Sequence, residues 1–305
     1  MTAIRADNLS KLFGSTHAVR GLSLEVRSGE LFGLLGPNGA GKTTTMRMLA
    51  SIMDPDGGDA WVGGYHVVRE ADEVKRVIAY VGQAFGLYPD LSVDENIEFF
   101  ADLYGVPRDE REPRKRRLLE FSNLAPFRAR MAGALSGGMK QKLAIACALI
   151  HTPKIVLLDQ PTSGVDPLSR NELWKILYDL VRDGVTIFVT TAYMDEAERF
   201  HRVALMHEGR ALACGTPSEL KSMLAGVMLE VRTTDGRRAA ASLRAAFPRC
   251  EANLFGNRVH LLLHGERPDA LPSLRATAAQ ALLRAGLEAE RSEEHTSELQ
   301  SHSFI

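Results

Sequence analysis

Apolar residues along this chain fall into two alternating rhythms. Short, largely apolar runs occur at 30–35 (ELFGLL), 155–158, 186–189 and 203–206. Each is too short for a helix and lacks the in–out alternation of a half-exposed strand, so each predicts a strand buried on both faces. Between them lie helical patterns. Residues 43–52 carry Met46, Leu49 and Ile52 at helical spacing, and 136–150 place Met139, Leu143, Ala146 and Leu149/Ile150 on one buried side. Residues 170–181 form a third helical stretch. Residues 1–82 are strand-rich, with further strands at 60–62 and 77–81, and from Ala84 to about Ala134 the pattern turns helical, at 93–104 and 109–122. Buried strands alternating with helices predict an α/β domain with a largely parallel sheet covered on both faces.

After about Leu224 the texture changes. Strand patterns at 227–233 and 258–264 alternate with alanine- and arginine-rich helices at 238–247 and 274–285, which predicts a small α+β appendage over 225–290. The domain reading is therefore 1–224, with a helical subdomain at about 84–150, then 225–290, then a tail. That tail, 291–305 (RSEEHTSELQSHSFI), is polar and without period. Its first eleven residues resemble the in-frame translation of a sequencing-library adapter. It reads as an artefact, with the natural chain expected to continue past about Glu290.

Composition narrows the setting without naming a function. A chain of 305 residues that is 45% hydrophobic can bury a full core. Its net charge of -1 sets up no global field toward nucleic acid or an anionic membrane, so no nucleic-acid partner is expected. The basic run Arg114–Arg117 reads as a solvated helix face. Cys147, Cys214 and Cys250 form no CxxC pair, which suits a reducing compartment. His66, His151, His201 and His207 show no metal-ligand spacing and are expected to serve local packing or solvent contacts. No apolar run approaches the roughly 20 residues that cross a bilayer, and the N-terminus MTAIRADNLSKLFG has no apolar signal region. Any membrane role is expected to come through a partner subunit.

The chemistry begins at GPNGAGKTT: Gly36, Pro37, Asn38, Gly39, Ala40, Gly41, Lys42, Thr43 and Thr44. Here glycines let the backbone curl until several N–H groups face one phosphate. Lys42 supplies a point charge for the β/γ-phosphates and Thr43 a hydroxyl ligand for Mg2+. The flanking strand and helix place the loop at a helix N-terminus. Asp159 ends the run IVLLD, where a buried parallel strand delivers a carboxylate to the same metal. Gln83, just after a strand, can reach Mg2+ or the attacking water. LSGGM at 135–139 opens a helix with Ser136, Gly137 and Gly138, whose N–H groups suit a γ-phosphate, and the SGVD turn (163–166) suits contact across a dimer interface.

Together these residues resemble the nucleotide-binding subunit of an ATP-binding-cassette (ABC) transporter, over roughly 4–224. The resemblance implies an α/β P-loop NTPase fold with a mixed sheet, a helical subdomain and a small C-terminal α+β appendage. It makes 36–43 the Walker A loop, 155–159 the Walker B strand, Gln83 the Q-loop glutamine and 135–139 the signature. Residues 163–166 become the D-loop, with Asp166, and Phe13 the ring that stacks on adenine. The implied cofactors are ATP and Mg2+. The implied working form is a head-to-tail dimer in which Ser136, Gly137, Gly138 and Asp166 complete the partner's site. YMDEAE at 193–198, SGVDPLSR and the short appendage resemble the export-type branch serving ABC-2 permeases, where drug or antibiotic export is usual. The implied location is peripheral, on the inner face of the plasma membrane through that permease.

Two positions depart from the family pattern. The glutamate expected after Asp159 is Gln160, and the switch histidine expected two residues after Thr190 is Ala192. An amide cannot take a proton from water near neutral pH, so Gln160 cannot be the general base. The expectation is firm MgATP binding with slow hydrolysis at this chain's own site. Its intact signature would complete a competent site on a second ATP-binding domain, heterodimeric or tandem in preference to a homodimer with two slow sites. The alternatives are an ABC ATPase without a permease and a regulatory subunit that clamps on ATP without consuming it.

Overall fold

The computed structural model of the protein describes residues 1–84, 86–223, 226–233, 235–248, 250–255, 258–264 and 270–287. The tail at 291–305 lies outside the described residues. The chain divides into two units, Met1–Pro217 and a second from Ser218.

The first unit carries two sheets. Strands β1 (Thr2–Phe13), β2 (Thr16–Arg27), β4 (Gly57–Val62) and β5 (Tyr65–His66) form an antiparallel sheet in the order β2-β1-β4-β5. The second sheet has six strands: β3 (Leu31–Leu35), β6 (Ile78–Val81), β7 (Ile155–Asp159), β8 (Thr186–Thr191), β9 (Arg202–His207) and β10 (Arg210–Gly215). Their order is β10-β9-β3-β8-β7-β6, parallel throughout except for the antiparallel edge pair β9–β10. Every residue of β3, β7 and β8 is buried, as continuous apolar runs in a parallel sheet require. The sheet core is thus mixed, as the sequence predicts.

Helix α1 (Lys42–Leu49) packs with both sheets around Ile4, Leu9, Leu22, Phe32, Leu34, Met46, Leu49, Leu157 and Phe188. The sequence pattern carries this helix on to Ile52, but it ends earlier. Ser51 adopts φ 55°, a left-handed conformation that no helix continues through, and Ile52 is left 55% exposed. Helix α2 (Ala71–Val77) leads directly into β6.

Helices α3 (Val93–Leu103), α4 (Arg108–Phe121) and α5 (Gly137–Leu149) form the helical subdomain around Val93, Ile97, Leu119, Leu135, Leu143 and Ile150. Ser92 and Glu95 make a reciprocal capping box that starts α3. Two expectations are corrected here. Helix α5 is buried on all sides from Gln141 to Leu149, and Met139 is only half-buried. The basic run on α4 is not a solvated face throughout: Lys115 is buried and bridges Asp94 and Glu98 at 3.0 Å and Glu112 at 3.4 Å. Arg114 pairs with Glu110 and donates to the Ile150 carbonyl at 3.0 Å. Helix α6 (Pro167–Arg182), capped by Asp166, buries Leu173, Trp174 and Leu177.

In the second unit, strand β11 (Gly226–Arg232) follows helix α7 (Pro217–Met223), which begins at the end of the first unit. Helix α8 (Gly236–Ala246), strands β12 (Cys250–Phe255) and β13 (Arg258–His264), and helix α9 (Leu271–Arg284) complete it. The antiparallel sheet runs β11-β13-β12 over a separate core of Leu229, Val231, Leu243, Val259, Leu261, Leu274 and Leu282. This is an α+β unit, as its texture predicts.

Candidate nucleotide site

The site sits at the carboxyl ends of β3, β7 and β8, where register brings Leu35 beside Thr191 and Asp159 beside Thr190. The loop 36–41 leaves β3 and enters α1 without room for side chains at its two hinges. A Cβ on Gly36 would stand 2.1 Å from the Met206 carbonyl oxygen. Gly41 holds φ +102°, and a Cβ there would stand 2.2 Å from the Ala18 carbonyl oxygen. No side chain caps the N-terminus of α1, so its first N–H groups are left for an anion.

Lys42 is buried, and its Nζ donates to the carbonyls of Gly36 at 2.7 Å and Pro37 at 2.9 Å. Burial lowers its pKa, opposed by the nearby Asp159 charge. Asp159 is 1% exposed. Its Oδ1 accepts from Thr43 Oγ1 at 3.1 Å and from Thr190 Oγ1 at 2.6 Å, whereas Oδ2 is buried without a partner. An unmet carboxylate oxygen beside a threonine hydroxyl is a hard, all-oxygen donor set that fits Mg2+. The residues present therefore suit the metal that the sequence pattern implies.

Two adjoining cavities lie over these groups. One, of about 440 Å3, is lined by Asn38, Gly39, Thr43, Gln83, Gln141, Gln160 and Ser163. The other, of about 150 Å3, is lined by Ala18, Gly39, Gly41, Lys42, Thr43, Thr44 and Gln160. Gln160 takes φ 52°, and its N–H donates to the carbonyl of Thr190 at 3.1 Å and to its hydroxyl at 3.0 Å. Thr190 thus fixes both Asp159 and the residue that follows it. Ala192, just past the end of β8, is half-buried and lines neither cavity.

The structure brings Asn38, Gly39, Gly41, Lys42, Thr43, Thr44, Gln83 and Gln160 together on these walls. Other sequence-predicted residues stand apart. Phe13, at the end of β1, is 48% exposed, with Lys11 Nζ 5.9 Å from its ring centre. Ser136 caps α5 by accepting from the Met139 N–H at 3.3 Å, and Asp166 caps α6 by accepting from the Ser169 N–H at 2.9 Å. That N–H holds the Asp166 carboxyl below the usual carboxylate range. Ser136 and Gly137 are exposed, while Gly138 packs so tightly against α6 that a Cβ would lie 2.4 Å from Ser169 Cβ.

Sequence reasoning missed Gln141 and the anchoring role of Thr190. A lone amide in the buried run 141–150 is a visible signal for the first. The second needs the β7–β8 register. Among the described residues no group of three His, Cys, Asp or Glu side chains could hold a metal, and no helix is long and apolar enough to cross a membrane. His66 accepts from the Val68 and Arg69 N–H groups and lies 2.8 Å from the Asp59 carboxylate through Nε2, while His151 and His201 bond the Ile78 carbonyl and the Leu31 N–H.

A glycine-hinged loop at a strand–helix junction, a buried lysine and an aspartate on a parallel strand define a P-loop nucleotide-binding protein. Comparison with known proteins narrows the class. The family model described as "ABC transporter" matches residues 19–163. The chain is 43% identical over 251 residues to the probable multidrug ABC transporter ATP-binding protein YbhF of Escherichia coli (strain K12), covering 82% of this chain and 43% of YbhF. It therefore spans less than half of that relative. It is 41% identical over 243 residues to the daunorubicin/doxorubicin resistance ATP-binding protein DrrA of Streptomyces peucetius, covering 79% of this chain and 74% of DrrA. A solved ATP-binding subunit of an ABC transporter superposes with a TM-score of 0.67 at 29% identity, over 73% of this chain and 93% of that one. The chain belongs to the family of ABC-transporter ATP-binding proteins.

Proposed function

We propose that this chain is the MgATP-binding subunit of an ABC exporter, with residues 1–224 as its ATP-binding domain, and that its own site holds ATP far better than it hydrolyses it. The observation that carries this reading is the larger cavity's lining, which is glycine, hydroxyl and carboxamide throughout. Such a wall can hold a phosphate and orient water, but it offers no side chain that accepts a proton near neutral pH. Lys42, the loop N–H groups and Thr44 hold the phosphates. Thr43, Asp159 and Gln83 hold Mg2+, which when bound screens the phosphate charge and polarises its oxygens. Phe13 offers a face to adenine.

Ser136, Gly137, Gly138 and Asp166, on two caps outside the cavity, face a second ATP-binding domain and complete its site. That partner keeps the glutamate and histidine absent here, in a heterodimer or a tandem pair. The integral membrane partner is an ABC-2-type permease, which holds the chain on the inner face of the plasma membrane. The relatives' links to multidrug and daunorubicin/doxorubicin resistance support drug-like cargo. The neutral wall also favours a second reading, a subunit that clamps on ATP as a regulator.

The test is to measure MgATP binding and steady-state turnover on the isolated chain. Retention of MgATP with turnover far below 1 s^-1, the low end of ordinary enzyme rates, is expected. Turnover near or above about 1 s^-1 removes the slow-site reading.

A further inference from the structure

We propose that Gln141 is a further nucleotide-binding residue, whose carboxamide engages the phosphate end of whatever fills the larger cavity and ties its loading to the Ser136–Gly138 end of α5. The inference deepens the MgATP-site reading and rests on it.

Gln141 is 4% exposed and lines the same cavity as Thr43, Gln83 and Gln160, although it comes from the helical subdomain. Its Nε2 is buried with no hydrogen-bond partner. Buried amide donors in folded proteins are nearly always paired, so an unmet one on a cavity wall marks a bond that the occupant supplies. Simple packing explains it less well. Methionine or leucine would fill the same place in α5 without leaving a donor unmet, and the other polar group of this buried stretch is satisfied: Lys142 Nζ bonds Glu172 at 2.8 Å.

The helix backbone that carries Gln141 is fastened on either side of it in sequence. Lys142–Glu172 ties α5 to α6 on one side of it, and the Gly138–Ser169 contact admits no added atom on the other. An anionic phosphate oxygen, reached directly or through one water, is the acceptor that an unmet donor beside Thr43 suits. Ser136 lies five residues back along the same helix, about 7.5 Å at 1.5 Å per residue. Asp166, through Ser169, joins the same packed unit. A bond at Gln141 therefore pulls on the caps offered to the partner.

The experiment compares wild type with Q141M by equilibrium titration of MgATP and MgADP. Amide hydrogen exchange at residues 136–141 is followed in parallel. Expected for Q141M are MgATP binding weakened roughly tenfold, MgADP binding within about twofold of wild type, and loss of the protection that MgATP confers on 136–138. Q141E, of the same shape but without the donor, should lose MgATP further, because its carboxylate faces phosphate; it also serves if Q141M does not fold. Equal weakening of both nucleotides assigns Gln141 to packing and overturns the inference, as does unchanged binding of both. A wild-type chain that retains neither nucleotide overturns the site reading first, which separates the two failures.

Discussion

The loop side of the nucleotide cavity and its far wall are furnished differently. The loop side carries a buried ammonium, Lys42, held by the Gly36 and Pro37 carbonyls, an uncapped helix N-terminus, and a buried carboxylate, Asp159, bonded to Thr43. The far wall, where water would be activated, presents Gln83, Gln141, Gln160 and Ser163, with Ala192 set back from it. The scaffold beneath both is equally well made, since Thr190 fixes Asp159 and the Gln160 backbone together. On the proposed reading, holding a triphosphate and cutting it are separable tasks, and the carboxamide wall serves the first.

The sharpest way to exploit that contrast is to refurnish the wall. Q160E combined with A192H supplies a proton acceptor and a polar contact on a backbone already in place. Turnover of the isolated chain should rise by roughly 10^2–10^4, the usual contribution of a positioned general base. No gain in a phosphate-release assay, with MgATP still bound, breaks the claim that these two positions limit the rate.

The complementary change attacks the loop side. K42A removes the buried ammonium that the proposed reading assigns to the phosphates, and MgATP affinity should fall roughly a hundredfold in equilibrium titration. G41A should lose binding for a different reason, because a side chain at φ +102° meets the Ala18 carbonyl. Ordinary affinity in either variant contradicts the division of labour.

The same two sides differ in how far the sequence discloses them. The loop, Lys42, Thr43 and Asp159 are legible because local chemistry fixes them: glycines at set spacing and an apolar strand ending in a carboxylate. The strands of the parallel sheet are legible for a similar reason, since a run such as LFGLL has nowhere to go but the interior. What is not legible depends on partners distant in sequence. Lys115 reads as a surface charge until α3 places Asp94 and Glu98 beside it. Helix α5 reads as one-sided until both the subdomain core and α6 enclose it, and that enclosure brings Gln141 to the cavity. The early end of α1 turns on a single left-handed residue, Ser51, that propensity does not mark. Register shifts between β1 and β2 fall where Asn8 and Gly21 adopt left-handed backbone, at φ 53° and 67°, which a strand pattern read by hydrophobicity alone does not mark.

The second unit provides a control for these perturbations. Leu243 is fully buried in its separate core, so L243A should cost that unit about 2–5 kcal/mol in chemical denaturation. MgATP affinity should stay unchanged. A matching loss of affinity makes the site depend on more than the first unit.

The smallest expected effect concerns a buried carboxylate bonded to the last residue of β8. Glu196 is 1% exposed; it accepts from Thr191 Oγ1 at 2.6 Å, and its other oxygen lies 4.0 Å from Arg170 Nε. Burial raises its pKa above the ordinary 4.5, while the Thr191 hydroxyl and the Arg170 charge pull the other way and Asp195 adds to the rise. The native state therefore binds this proton more tightly than the unfolded chain does. Its contribution to stability is complete below the ordinary value and is lost as pH rises through the raised one. E196Q removes that titration and keeps an acceptor for Thr191. Between pH 4.5 and neutrality wild type should lose stability relative to E196Q, by about 1.4 kcal/mol for each pKa unit of elevation. Parallel denaturation curves for the two proteins across that range would mean that Glu196 is not held above its ordinary value. Turnover should be the same in both, because the buried Glu196 lines neither cavity.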